Sequence, residues 1–274
     1  MAKDTGIPFP SASSRVAATR GTVGSGLLEI ENRADASNEA GHWGAWWQSF
    51  LRGSQLPDPS KVDGLRCIDL FCGSGGFALG ASLAARGAGR KARFERIVDA
   101  DSRALEVHTR SHSVARAINA GVSSLVDYQV KRRGGSARFS YSPEIVDGSF
   151  ETAADIDLLI AGPPCQGHSN LNNHTRRADA RNDLFICTVA VAVALKAKAV
   201  VIENVRTVTA SHGDVVGMAR ELFEASGYNV HENIVRADDL GWPQTRERYF
   251  MTAIREDLQV VDLREPVKRM PSNV

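Results

Sequence analysis

Short apolar runs alternate with helix-length stretches from residue 65 onward, and this alternation constrains the fold more than any other feature. Leu65–Phe71, Ile97–Ala100, Asp157–Ala161, Ala199–Ile202, Asn229–Val235 and Tyr249–Ile254 read as strands. The glycine turn after Phe71 opens a helical stretch to Arg86, and Ser102–His112, Asp183–Lys196 and Asp214–Ala225 also read as helices. Strands that alternate with helices predict an α/β fold, with a doubly wound, mainly parallel sheet covered on both faces. Residues 118–140 fit neither period, and Lys131-Arg-Arg-Gly-Gly135 within them reads as a solvated loop. No internal repeat is visible.

With 274 residues, 43% hydrophobic and 24% charged, the chain can form one large domain or a domain with an appendage. The expected division is an N-terminal segment over 1–60, a main domain over 61–260 and a short tail over 261–274. Residues 1 to about 40 are polar and aperiodic, which predicts a mobile segment. Trp43, Trp46, Trp47 and Phe50 then recur along one face of a short helix. Docking on the main domain is the expected role of that face, ahead of base stacking. Leu56-Pro-Asp-Pro-Ser60 reads as a linker.

No run approaches the ~18 apolar residues of a membrane span, and the N-terminus lacks a secretory apolar core. Cysteines at 67, 72, 165 and 187 do not form a disulfide framework, so reduced thiols in a cytoplasmic protein are expected. No CxxC or HxxxH pair is recognised, so no metal centre is expected. Net charge is only +1, whereas a chain that grips DNA alone usually carries a clearer basic excess.

Chemistry-bearing residues cluster where strands give way to loops. Asp157-Leu-Leu-Ile-Ala-Gly-Pro-Pro-Cys165 ends a strand in two prolines, which fix φ and force a turn that presets the direction of Cys165. Open α/β sheets place ligands beyond such strand ends. A cysteine there is a candidate nucleophile or, more commonly, a small buried hydrophobe. Upstream, Asp69-Leu-Phe-Cys-Gly-Ser-Gly-Gly-Phe77 leaves the first strand with Gly73, Gly75 and Gly76 available for close approach to a ligand. With Ala78 the spacing satisfies a dinucleotide fingerprint, a weak match by itself. Asp99 or Asp101 is placed to bind two ribose hydroxyls. An NAD site and an S-adenosyl-L-methionine site share this logic, and Asp69, Cys72 and Ser74 suit the second slightly better.

Two further clusters follow. Val200-Val-Ile-Glu-Asn-Val205 puts Glu203 and Asn204 just beyond a buried strand, where burial raises a carboxyl pKa toward a proton-donating range. Gln244-Thr-Arg-Glu-Arg248 aligns Gln244, Arg246 and Arg248 on one side of an extended segment. A lone Arg-x-Arg is usually surface charge. Four such clusters in this order are harder to dismiss.

In this order the motifs resemble those of the cytosine-C5 DNA methyltransferase family, over about residues 65–255. The resemblance implies a class I S-adenosyl-L-methionine-dependent fold. It implies cofactor contacts at Asp69, Phe71, Gly73, Ser74, Gly75, Gly76, Asp99, Pro163 and, more weakly, Asp147. It implies a base pocket with Pro164, Gln166, Asn204 and Gln244, and catalytic roles for Cys165, Glu203, Arg246 and Arg248. His168 stands where many members have Phe, and Arg177–Leu184 resembles the family's next segment.

The implied reaction adds a Cys165 thiolate to cytosine C6, which makes C5 nucleophilic toward a methyl sulfonium. Glu203 contacts N3 and the exocyclic amine, Arg248 holds O2, and Arg246 supports the loop or the nucleophile. The base must be flipped from duplex DNA to reach them. A bacterial, DNA-associated modification enzyme is expected. After Ile254 no target-recognition region or final Gly-Asn-Ala-Val-Pro-Pro-like motif is recognisable, so a second polypeptide or a truncated chain is expected. The alternatives are a tRNA cytosine-C5 methyltransferase and a non-catalytic subunit of a split enzyme; an NAD oxidoreductase leaves three of the clusters unexplained.

Overall fold

A computed structural model describes residues 64–133, 136–150, 155–164, 183–210, 214–240 and 244–258. The Trp-rich stretch, Cys165 and the tail from residue 259 lie outside the described residues. Strands are β1 Leu65–Leu70, β2 Ala92–Asp99, β3 Ala117–Asn119, β4 Val126–Asp127, β5 Val130–Arg133, β6 Ser136–Phe139, β7 Glu144–Ile145, β8 Leu158–Ala161, β9 Ala199–Val205, β10 Tyr228–Arg236 and β11 Glu247–Arg255. The α-helices are α1 Gly76–Gly87, α2 Ser102–Ser111, α3 Asp183–Ala194 and α4 Val215–Glu224.

Seven strands form the main sheet in the order β10-β11-β9-β8-β1-β2-β3. Neighbours from β3 to β9 pair in parallel. Among the described residues only β11 is reversed, antiparallel to both β9 and β10. The mainly parallel sheet expected from the alternation is therefore present, with one reversal that apolar periodicity does not reveal.

Side-chain alternation sorts the core onto two faces. Ile68 and Leu70 of β1 join Leu159, Val200 and Ile202 in a large cluster with α3 and α4. Cys67, Ile97 and Ile160 point the other way and pack with Ala78 of α1 and Leu105 of α2. α3 is apolar around most of its circumference, with Phe185, Ile186, Cys187, Val189, Ala190, Val191 and Ala192 all buried, as a helix enclosed by a sheet and other elements must be.

The stretch over 118–140 needs correction. Lys131 and Arg132 belong to β5, which pairs antiparallel with β6, and the small β4–β7 ladder lies beside them. The hairpin is fastened to the core by the Ala137 N–H, which donates to the Glu221 carboxylate of α4 at 2.6 Å. Its exposed cationic residues hide the β periodicity. Among the described residues, Cys67, Cys72 and Cys187 are free thiols, as expected, and no helix is long and apolar enough to cross a membrane.

Candidate active site

Because β1, β2, β8 and β9 are parallel, their carboxyl ends share one edge, and the reversed β11 begins at that same edge. Sequence segments more than a hundred residues apart thereby converge. The Gln244–Arg248 cluster reaches the edge as the amino end of a strand, not as the loop after one.

At the β1–α1 turn, Phe71, Gly73 and Gly75 have positive φ of 54°, 50° and 93°. Glycine relieves the steric cost at two of these positions. The turn is tethered by the Gly73 N–H, which donates to Asp99 Oδ2 at 2.8 Å, while Asp99 Oδ1 accepts from the Asp101 N–H at 2.8 Å. Asp101 itself caps α2 by accepting from the Arg103 N–H at 2.9 Å. The two acids left open by the sequence thus separate: Asp101 serves the helix and Asp99 faces the turn.

A β-carbon added at Gly73 or Gly76 would meet nothing within 4 Å, so the turn backbone is open to a ligand. Ser74 and Gly76 are exposed. Asp69 is buried, and neither of its carboxyl oxygens has a hydrogen-bond partner among the described residues. Burial, reinforced by the nearby Asp99 carboxylate, holds the Asp69 pKa well above the usual carboxyl range. An orphaned buried carboxyl beside an open glycine turn fits a ligand that brings hydrogen-bond donors or positive charge. Asp147 is half-buried between β7 and β8, where its carbonyl accepts from the Phe150 N–H at 2.9 Å.

The end of β8 lies between this turn and β9. The Gly162 N–H donates to the Leu70 carbonyl at 3.2 Å, and a β-carbon on Gly162 would stand 4.0 Å from both the Phe71 carbonyl and Glu203 Oε2. Asn204 is buried, and its Nδ2 donates to the Pro163 carbonyl at 3.2 Å while its Oδ1 accepts from the Val205 N–H at 2.8 Å. Its amide therefore pins the first proline of the Pro163–Pro164 turn. Pro163 is buried and Pro164 exposed, directly before Cys165. Cys165 and Gln166 themselves lie outside the described residues.

Glu203 is paired with Arg248, Oε1 to Nε at 2.7 Å. Burial raises the Glu203 pKa, against the lowering fields of Arg248 and Arg246. Gln244 and Arg246 are exposed, and Arg246 acts on Glu203 only by its field among the described interactions. Arg248 Nη1 also donates to the Glu247 carbonyl at 2.8 Å. In register, Phe250 lies opposite Glu203, and Phe77 of α1 meets Phe250 edge-on with centroids 6.3 Å apart. That aromatic pair joins the glycine-turn helix to the strand that carries Arg248. It had no signal in the sequence beyond two apolar positions.

One spacing was missed outright. His108 in the last turn of α2 and His112 at its carboxyl cap form an HxxxH pair. Their rings meet at a tilt of 58° beside Gly75, and among the described residues no group of three His, Cys, Asp or Glu could hold a metal ion.

Comparison with known proteins places these features in a family. Residues 65–274 match the family model of C-5 cytosine-specific DNA methylases. The chain is 31% identical over 207 residues to the type II methyltransferase M1.BsuMI of Bacillus subtilis, covering 75% of this chain and 47% of the relative. It is 29% identical to the type II methyltransferase M.HhaI of Haemophilus parahaemolyticus, covering 75% of this chain and 54% of the relative. Among solved structures, a prophage-encoded E. coli protein described as a DNA modification methyltransferase superposes with a TM-score of 0.52 at 27% identity, over 73% of this chain and 49% of the other. The chain thus spans about half the length of the curated relatives it matches.

Proposed function

The chain belongs to the C-5 cytosine-specific DNA methylase family, and from that premise we propose that it methylates C5 of cytosine in double-stranded DNA, with S-adenosyl-L-methionine bound at the β1–α1 turn. The observation that carries this reading is the joining of four motifs at one spot. Glu203 is paired with Arg248, Asn204 next to it holds Pro163, and Gly162 lies against both Phe71 and Glu203.

In the assigned roles, Asp99 accepts the ribose hydroxyls, and the open backbone at Gly73 and Gly76 admits the ligand closely. Phe71, Ser74, Gly75, Asp147 and Pro163 complete the proposed cofactor contacts. Asp69 supplies an unsatisfied buried carboxyl. The bound sulfonium supplies an electrophilic methyl group.

The Cys165 thiolate adds to C6 of a flipped cytosine, and the C5=C6 electron pair becomes available at C5 to take the methyl, whose bond to sulfur breaks to leave S-adenosylhomocysteine. Glu203, with its pKa already raised by burial, holds a proton toward N3 and accepts from the exocyclic amine, which offsets charge as the thiolate adds. Arg248 is directed by Glu203 to a position from which it reaches the base O2. Arg246 adds positive field, and Pro164, Gln166 and Gln244 line the base pocket. Loss of the C5 proton and expulsion of the thiolate then free the product.

The target-recognition part is assigned to a second polypeptide or to further chain, a reading supported by the half-length match to the relatives. The test is incubation with labelled S-adenosyl-L-methionine and duplex DNA, with tRNA as a parallel substrate. It is run with and without a companion polypeptide that carries a recognition region. Methyl incorporation into DNA that vanishes in Cys165→Ala is expected, a drop of at least about 10³-fold for loss of a covalent nucleophile. Full turnover by that variant refutes the nucleophile assignment, and methylation of tRNA alone refutes the DNA substrate.

A further inference from the structure

Beside the glycine turn stand two imidazoles for which the reaction has no task. His108 in the last turn of α2 and His112, the residue that ends it, have ring centroids 4.9 Å apart, and Phe94 of β2 meets them edge-on at 6.0 and 5.9 Å. His108 is fully buried, and neither ring nitrogen has a well-formed hydrogen bond among the described residues. The His112 Nε2–H donates to the Gly75 carbonyl at 3.2 Å. The same carbonyl accepts the Leu79 N–H at 2.9 Å, in the first turn of α1. A β-carbon on Gly75 would lie 2.8 Å from His112 Cδ2 and 3.1 Å from His108 Nδ1, so the pair presses directly on the turn. Asp99 holds the turn through Gly73. The cofactor loop is therefore clamped between a carboxylate and an imidazole pair.

We propose that His108 and His112 are positioning residues for cofactor binding. With His108 neutral they hold the Gly73–Gly76 turn in its binding shape, and protonation of His108 releases it. The inference rests on the cofactor site assigned above. Two imidazoles in contact cannot both carry charge at low cost, and a cation here would face the amino end of α1, already positive from its unpaired N–H groups. The surrounding groups divide. Burial first, then His112, hold His108 below its ordinary pKa of 6.5, while the nearby carbonyls of Cys72 and Gly73 and the Asp99 carboxylate favour its charged form. Phe94 carries no charge, and burial keeps the Cys72 thiol protonated. Because the folded pKa of His108 is depressed, His108 favours its neutral form, and charging it costs the folded state stability as pH falls below 6.5.

Calorimetric titration of S-adenosylhomocysteine into the full chain, at about pH 7.5 and about pH 5.5 on either side of the imidazole range, tests this. Wild-type affinity is expected to fall about three- to tenfold on acidification, tenfold for each pKa unit by which ligand binding lowers His108. His108→Phe keeps a packed ring without a titrating nitrogen. It should lose most of the acid sensitivity, so that its own affinities at the two pH values agree within about twofold. His112→Phe removes the bond to Gly75 and should weaken binding about three- to tenfold at both pH values, with partial recovery in His112→Gln. Acid sensitivity unchanged in His108→Phe overturns the proposal. Proton NMR titration of the wild-type histidines needs no variant: His108 must titrate below 6.5 and move lower still when ligand is added. Titration at or above that value, or indifference to ligand, also overturns it. Wild-type protein that binds no S-adenosylhomocysteine at either pH refutes the cofactor site and the proposal with it. Binding that ignores acid refutes only the histidine pair.

Discussion

The two ends of the candidate site are built from different materials. The cofactor end is mostly backbone: a turn at positive φ, glycines without β-carbons, and main-chain N–H groups given to one carboxylate. The base end is mostly side chain, with an ion pair and a buried amide spread over β9, β11 and the close of β8. Backbone geometry is set once the chain folds and tolerates little substitution. A side-chain ion pair can separate, rotate and exchange partners with a ligand at small cost. The fixed part thus suits a ligand whose shape is constant, and the adjustable part suits a base that must arrive, react and leave.

Substitutions that separate the two ends should differ sharply in size. Gly75→Ala should be the most damaging, because it forces a β-carbon into φ 93° and to within 3 Å of the His112 ring. A loss of about 3 kcal/mol of stability is expected, with cofactor binding abolished, as read by thermal unfolding and calorimetry. Wild-type affinity in this variant would show that the turn is less rigid than its contacts imply.

Asn204→Ala should come next. It frees the Pro163 carbonyl and the Val205 N–H within a buried setting, for about 1–3 kcal/mol, while leaving the cofactor turn intact. Turnover should fall about 10–100-fold through misplacement of the neighbouring nucleophile, with a much smaller loss of S-adenosylhomocysteine affinity because only the Pro163 contact is loosened. A parallel loss of cofactor affinity would mean that the two ends do not act separately.

Glu203→Gln should have the smallest effect on folding. A carboxyl with a raised folded pKa contributes stability below its ordinary 4.5 and loses it as pH rises through the folded value. The variant should therefore flatten that decline, changing Tm near neutrality by about 2 °C or less. Its turnover should still drop, because the amide cannot hold and release a proton in the same way. A large destabilisation at neutral pH would make the Glu203–Arg248 pair a structural strut.

What could be read from the sequence follows the same division. The β1–α1 turn was legible because glycine spacing leaves a direct trace of backbone geometry. The strands around Ile97, Leu159, Ile202 and Met251 were legible because buried strands are unbroken apolar runs. β5 was lost because its residues Lys131 and Arg132 are exposed and cationic, so no apolar period marks it. The reversal of β11 was invisible since an apolar run carries no direction. Asp99 and Asp101 looked equivalent until one proved to be a helix cap. The histidine pair escaped because its meaning depends on Gly75, more than thirty residues away.

The reversed strand also has a consequence for the order of assembly. β11 is the last of the described strands in the sequence, yet it lies between β9 and β10. A chain emerging from the ribosome therefore holds Glu203 without its counter-ion, and β10 without a neighbour in the sheet, until the final strand slides into the gap. The nascent protein can shape its cofactor turn early, but it owns no complete base end until that strand has been made.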